Sequence, residues 1–164
     1  MPKPKWIAAG VGALLLIAVI FFFVGRGSFV ESNVELKIEG ATEISSGDLV
    51  TYKLSYKNDN KVKLTDVKLN FFYPPDAIVI RDDRIIETTN EILDLKELGS
   101  GESDEIKLKA YIVGDRGNIK SARALLTFRP ESVSSLLEKS ANLNTTITNL
   151  AVPITMVAPP TVIN

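Results

Sequence analysis

The sequence predicts an all-β fold, an antiparallel β-sandwich of about seven or eight strands preceded by one transmembrane helix. Three observations predict it. Residues 7–24 form an unbroken apolar run, with Lys3, Lys5 and Trp6 before it and Arg26 after it. Beyond the run, apolar residues recur at every second position, which is the period of a half-buried strand. Where the alternation stops, Gly, Ser, Asn and Asp cluster, as chain reversals require.

The apolar run is the first element. Its 18 residues, at about 1.5 Å each, span roughly 27 Å, close to the ~30 Å hydrocarbon core of a bilayer. Twelve of them are Leu, Ile, Val or Phe, which favours insertion by on the order of 4–7 kcal/mol. A cleavable signal peptide is the competing reading, but its apolar region usually covers about 7–15 residues and ends in small side chains. Here Phe21, Phe22, Phe23 and Val24 lead into Gly25, Arg26 and Gly27, so the run reads as a retained anchor. Two lysines and the amino terminus precede it against one arginine after it, which places the leader, residues 1–6, in the cytoplasm. The expected location is the cell membrane, single-pass, with the C-terminal domain extracellular or periplasmic and membrane lipid as the partner of residues 7–24.

Residues 25–32 read as a linker and residues 33–151 as the sandwich. Val34, Leu36 and Ile38 open the alternation, and Val50, Tyr52, Leu54 and Tyr56 carry it most clearly. Val67, Leu69, Phe71 and Tyr73 repeat it until Pro74 and Pro75, which cannot donate to a ladder. Ile106, Leu108, Ala110 and Ile112 give another strand, and further strands are expected over residues 77–80, 92–95, 119–128 and 145–152. The reversals are Ser46-Gly47-Asp48, Asn58-Asp59-Asn60, Gly99-Ser100-Gly101 and Gly114 to Gly117. Residues 131–142 are ambiguous: Val133, Leu136 and Leu137 have helical spacing and Glu138, Lys139 and Ala141 are good helix formers, so helix and strand both stay open. Short strands with no long helical pattern between them suit an immunoglobulin-type sandwich. Residues 152–164 are either a Pro-rich linker or the start of a second similar module, since residues 154–164 can be laid under residues 36–46.

Composition excludes several chemistries. The chain has no His and no Cys, which removes Ser-His-Asp and Cys-His nucleophiles, histidine metal sites and disulfides. All 20 acids but only 16 of the 19 bases follow Arg26, so the outer part is mildly acidic and no nucleic-acid partner is expected. Asp82, Asp83 and Arg84 form the densest charged cluster, and Asp59, Asp66 or Asp115 are conceivable companions in a calcium site. No D-x-D-x-D-G spacing supports one, and the cluster reads as a solvated loop. Ser45-Ser46-Gly47 and Gly99-Ser100-Gly101 lack the G-x-S-x-G elbow and read as turns. Tyr52, Tyr56, Phe71 and Tyr73 point inward by alternation, which leaves Phe72 as the one outward ring and argues against a sugar-stacking platform. Asn144-Thr145-Thr146 is a glycosylation sequon. No catalytic, cofactor-binding or metal residue is assigned, and no cofactor is expected.

The outer part resembles the conserved-repeat and cell-adhesion-related domains of bacterial and archaeal surface proteins. The run Ser46-Gly47-Asp48-Leu49-Val50-Thr51-Tyr52 through Asn58 looks like that family's G-x-x-V-x-Y-x-x-x-x-x-N opening. Leu64 to Leu69, closing at Tyr73-Pro74-Pro75-Asp76, is similar to its strand ending in P-x-G, and Leu98-Gly99-Ser100-Gly101-Glu102-Ser103 is like its L-x-x-G-x-S. Asp76 and Ala77 depart from the pattern, standing where the family often has Gly. The resemblance implies an immunoglobulin-like (cohesin-like) sandwich serving as a non-catalytic spacer, adhesion or protein-interaction module, and supplies no catalytic residue. The alternative is a carbohydrate-binding or accessory domain of a larger cell-wall enzyme, with wall polysaccharide as partner.

Overall fold

The computed structural model describes residues 28–81, 84–86 and 88–150. The anchor run, the leader, Asp82 and Asp83, and residues 152–164 lie outside the described residues. Among those described, no helix is long and apolar enough to cross a membrane.

A single 3-10 turn, Glu31–Asn33, leads into ten strands: β1 (Val34–Glu39), β2 (Glu43–Ser45), β3 (Asp48–Asn58), β4 (Leu64–Phe72), β5 (Ala77–Arg81), β6 (Arg84–Ile86), β7 (Asn90–Asp94), β8 (Ser103–Ile112), β9 (Ile119–Pro130) and β10 (Leu137–Asn149). They form two five-stranded sheets, one ordered β1-β3-β8-β5-β6 and the other β2-β10-β9-β4-β7. The positions of β1-β3-β8-β5 and β10-β9-β4 match the A-B-E-D and G-F-C strands of an immunoglobulin sandwich. The expected all-β sandwich is therefore present, with two corrections. Ten strands among the described residues stand in place of seven or eight, because β2 and β6 have three residues each, too few to show a period. One pairing, β10 with β2, is parallel rather than antiparallel.

Alternation explains the core. Val50, Tyr52, Leu54 and Tyr56 of β3 face Leu69, Phe71, Leu126 and Phe128 of the opposite sheet, all of them buried. Burying each such side chain stabilises the fold by roughly 1.5–3 kcal/mol. Phe71 stands at the centre, its ring 5.1 Å from Tyr52 and 4.9 Å from Tyr73, the latter edge-on.

Residues 131–142 resolve as turn and then strand. Leu137, Lys139, Ala141 and Leu143 are half-buried while Glu138, Ser140, Asn142 and Asn144 are exposed. This alternation is imposed by ten paired positions along β9, from Leu137 opposite Phe128 to Thr146 opposite Ile119. Pairing with a neighbour outweighs the helix propensity of Glu138, Lys139 and Ala141, which is a few tenths of a kcal/mol per residue.

Two aspartates bend the chain. Asp66 has φ +51° at a register shift of β4 against β9, a bulge that turns both Leu64 and Val67 inward. Asp76 has φ +64°, so the position where the resembled family often has glycine needs the left-handed backbone that Asp tolerates better than most residues. Its carboxylate accepts a hydrogen bond from the Lys120 ammonium at 2.9 Å, and the same nitrogen donates to the Pro75 carbonyl at 3.1 Å. Lys120 is buried, so this contact satisfies its charge and ties the turn after β4 to β9.

Candidate functional site

A recess lies at the end of the sandwich where residues 28–33 enter. Here β3 ends, β8 begins, and the connection between β7 and β8 crosses from one sheet to the other. The recess has a volume of about 500 Å³ and is bordered by Tyr56, Asp94, Glu97, Leu98, Glu102 and Asp104 among others.

Asn58, the last residue of β3, organises this end. It is fully buried, and its side-chain amide donates to the carbonyls of Val62 (2.9 Å), Leu98 (3.1 Å) and Gly99 (3.0 Å). Its Oδ1 accepts the Asn60 N–H at 3.1 Å, and the Asn60 carbonyl oxygen Oδ1 in turn accepts the Val30 N–H at 2.7 Å. One side chain thus joins the β3–β4 turn, the β7–β8 connection and, through Asn60, the incoming chain. Of the predicted 25–32 linker, Phe29 packs on Phe128 with ring centroids 6.0 Å apart.

The carboxylates of the recess are already engaged. Asp94 pairs with Lys68 at 2.8 Å and Glu97 with Lys63 at 2.7 Å. Glu102 accepts the Gly99 N–H at 2.6 Å, and Asp104 accepts from its neighbour Glu105 N–H at 2.8 Å and from the Tyr56 hydroxyl at 3.4 Å. Burial, and secondarily the Asp104 charge, pushes the Tyr56 hydroxyl up to about 12. The Tyr56 phenol is held neutral at ordinary pH, and each of these carboxylates has a lysine, hydroxyl or backbone N–H partner. The arrangement holds the β7–β8 connection in place, and the recess is lined by Leu95, Leu98 and Ile106 as well as by these polar groups.

The other residues weighed from sequence, so far as they are described, do not converge. Asp59 pairs with Lys57 and Asp66 with Arg129. Asp59 follows β3 at the entry end, whereas Asp115 follows β8 at the far end. Ten paired rungs of β3 and β8 separate these ends, on the order of 30 Å. Among the described residues no three acidic side chains gather to hold a metal ion. Ser46 Oγ accepts the Gly114 N–H at 3.1 Å, and Gly99-Ser100-Gly101 closes with φ +74° at Gly101, so both serine segments are turns. Tyr52, Tyr56, Phe71 and Tyr73 are buried and Phe72 is half-buried on the outer face, as alternation required. Asn144 is exposed on β10 and accepts a hydrogen bond from Ser121 Oγ at 2.6 Å. A chain of side chains missed from sequence runs from Tyr73 to Glu91 at 2.9 Å and on to Arg81, linking the end of β4, β7 and β5. No local signal marks it, because its members are brought together only by the sheet crossing.

Fold and site together define a β-sandwich domain of the immunoglobulin-like type. Among solved structures the chain is similar to the CARDB domain of PF1109 from Pyrococcus furiosus, in complex with di-metal ions, at 12% identity and TM-score 0.48, covering 71% of this chain and 93% of that one. It is also similar to BslA, a bacterial hydrophobin, at 12% identity and TM-score 0.46, over 71% of this chain and 96% of that one. The human CEP192 PapD-like domain 7 follows at 11% identity and TM-score 0.39, covering 76% of this chain and 96% of that domain. No family model and no curated protein matches the chain.

Proposed function

We propose that this protein is a membrane-anchored, extracytoplasmic immunoglobulin-like module that acts as a surface spacer, adhesion or protein-interaction domain and carries out no catalysis. The observation that carries this reading is the apolar run of residues 7–24 placed immediately ahead of the sandwich. Eighteen such residues match the bilayer core, and the lysines before them favour a cytoplasmic leader. The sandwich supports a structural role, since the carboxylates that border its recess are engaged by lysines and backbone. Partner contacts on such a scaffold fall to loops or exposed sheet edges.

Fractionation of cells expressing the full chain tests the reading. The protein should stay with membranes through alkaline carbonate washing, and protease added to intact spheroplasts should degrade the sandwich. Deleting residues 7–24 should release a soluble, folded domain. A mature chain cleaved after the run, or a sandwich shielded from added protease, would overturn the proposal. Binding of the released domain to wall polysaccharide would instead favour the accessory-domain alternative.

A further inference from the structure

The strand order puts β5 beside β8, but the two pair only at Ala77 with Ile112 and Ile78 with Tyr111. Beyond that point β5 turns across the side of the sandwich, where Arg81 pairs with Glu91 of β7 in the other sheet. Among the described residues no strand takes its place along β8 from Ser103 to Lys109, an edge of roughly 20 Å. The pairing on the opposite side of β8 shows which backbone groups this edge offers. The Glu102 carbonyl accepts the Asn58 N–H at the end of β3 at 2.9 Å, so by alternation Asp104, Ile106 and Leu108 also bond toward β3. Ser103, Glu105 and Lys107 therefore present their N–H and C=O groups to the open edge. The Glu105 N–H is met there by the side chain of its own neighbour, Asp104, at 2.8 Å.

The recess of about 500 Å³ lies along this edge, lined by Ser103, Asp104 and Ile106 of β8 and by residues 94–98 of β7 and the connection after it. Ile106, Leu108 and Leu95 belong to the core yet are only half-buried, as side chains are where a covering strand is missing. Four carboxylates, Asp94, Glu97, Glu102 and Asp104, line the recess against one lysine, Lys96. Lys68 and Lys63 offset Asp94 and Glu97. Among the described residues Glu102 and Asp104 have only backbone and hydroxyl donors, so their charges are not offset by a cation.

We infer that a partner protein adds an extended segment to this edge, running antiparallel to β8 as β5 does and pairing with Ser103, Glu105 and Lys107. Its inward side chains are apolar where they meet Ile106 and Leu95, and a lysine or arginine where they meet Glu102 and Asp104. The inference rests on the protein-interaction reading above and gives that reading a site and a partner chemistry. Backbone pairing of this kind supplies affinity, and the alternate side chains supply specificity. A second copy of the chain fits less well, because β7 and its connection already fill the layer facing the edge, which leaves room for one strand and not for another two-layered body.

Fluorescence anisotropy on the full chain in a neutral detergent tests the inference with a labelled heptapeptide, Thr-Val-Thr-Val-Thr-Lys-Thr, whose threonines take the outward, paired positions. It should bind saturably, and the same peptide with Glu in place of Lys should bind at least about tenfold more weakly. N-methylation of the two central threonine amides should weaken binding by about tenfold, the equivalent of two backbone hydrogen bonds. N-methylation of the valine amides, which face away from β8, should leave it nearly unchanged. Glu102→Gln with Asp104→Asn, both at exposed positions, should remove the preference for Lys over Glu. In the complex the Ser103, Glu105 and Lys107 amides should gain protection from hydrogen exchange. No saturable binding, equal binding of the two N-methylated peptides, a Lys preference that survives the double substitution, or protection confined to other amides would each overturn the inference, as would a free chain already dimeric through this edge. Carbonate washing and protease treatment read the anchored placement on their own, so the two conclusions fail separately.

Discussion

Two buried polar side chains in β3 act in opposite directions, and the difference is set by their partners. The Asn58 amide is shared among the carbonyls of Val62, Leu98 and Gly99, of which Leu98 also accepts the Leu64 N–H at 2.9 Å and Gly99 the Glu102 N–H at 3.3 Å. Asn58→Ala removes the side-chain bond to the Val62 carbonyl and the acceptor of the buried Asn60 N–H and opens a void, so it should destabilise by about 2–4 kcal/mol in urea titration. A loss below about 0.5 kcal/mol, the range of ordinary surface substitutions, would show that water replaces the amide. Tyr52 is the contrary case: fully buried, it has a hydroxyl with no hydrogen-bond partner. An orphaned hydroxyl opposes folding, so Tyr52→Phe should leave stability unchanged or raise it by up to about 1–2 kcal/mol. A drop of that size in the same titration would mean that the hydroxyl is satisfied in solution.

At the scale of elements, the long strands were legible because one face of each is dry. Val50, Tyr52, Leu54 and Tyr56 spell β3 in the sequence, and Ile106, Leu108, Ala110 and Ile112 spell β8. Asn58 was visible as part of a family-like motif, but its task was not, since its carbonyl partners lie up to 41 positions away. The Asp76 departure from glycine was visible too, and the structure supplies its reason in a left-handed backbone and a buried lysine partner. The start of β10 was illegible because local propensity and tertiary pairing disagree there. That disagreement can be measured at Ser140, which is exposed and lies opposite Leu125. A helix would gain from Ser140→Ala and lose from Ser140→Val, whereas a strand ranks them the other way. Ser140→Val should therefore be more stable than Ser140→Ala, by up to about 1 kcal/mol in thermal denaturation. The reverse order would remove β10 from this stretch.

For the whole molecule, the core ties stability to alkaline pH. Burial pushes the Tyr52 hydroxyl up to about 12 and, with the Asp104 charge, does the same for Tyr56; burial and Glu91 raise Tyr73 as well. An unfolded tyrosine titrates near 10, so the native state holds these protons more tightly than the unfolded chain. A native value above the unfolded one means that the stabilisation is complete below pH ~10 and is lost as pH rises through ~12. Moving one tyrosine from 10 to 12 corresponds to roughly 3 kcal/mol, large against a total of about 5–15 kcal/mol. Surface lysines such as Lys53, raised by hydrogen bonding to Glu105, also lose their charge above pH 10, but exposed pairs contribute little. The tyrosines should therefore dominate. Equilibrium unfolding measured from pH 8 to 12 should show a plateau to about pH 10 and then a steep fall. Tyr52→Phe, which removes one of these protons from the balance, should make the fall shallower. A decline that begins well below pH 10, or one that Tyr52→Phe leaves unaltered, would assign alkaline sensitivity to the surface ion pairs rather than to the aromatic centre of the sandwich.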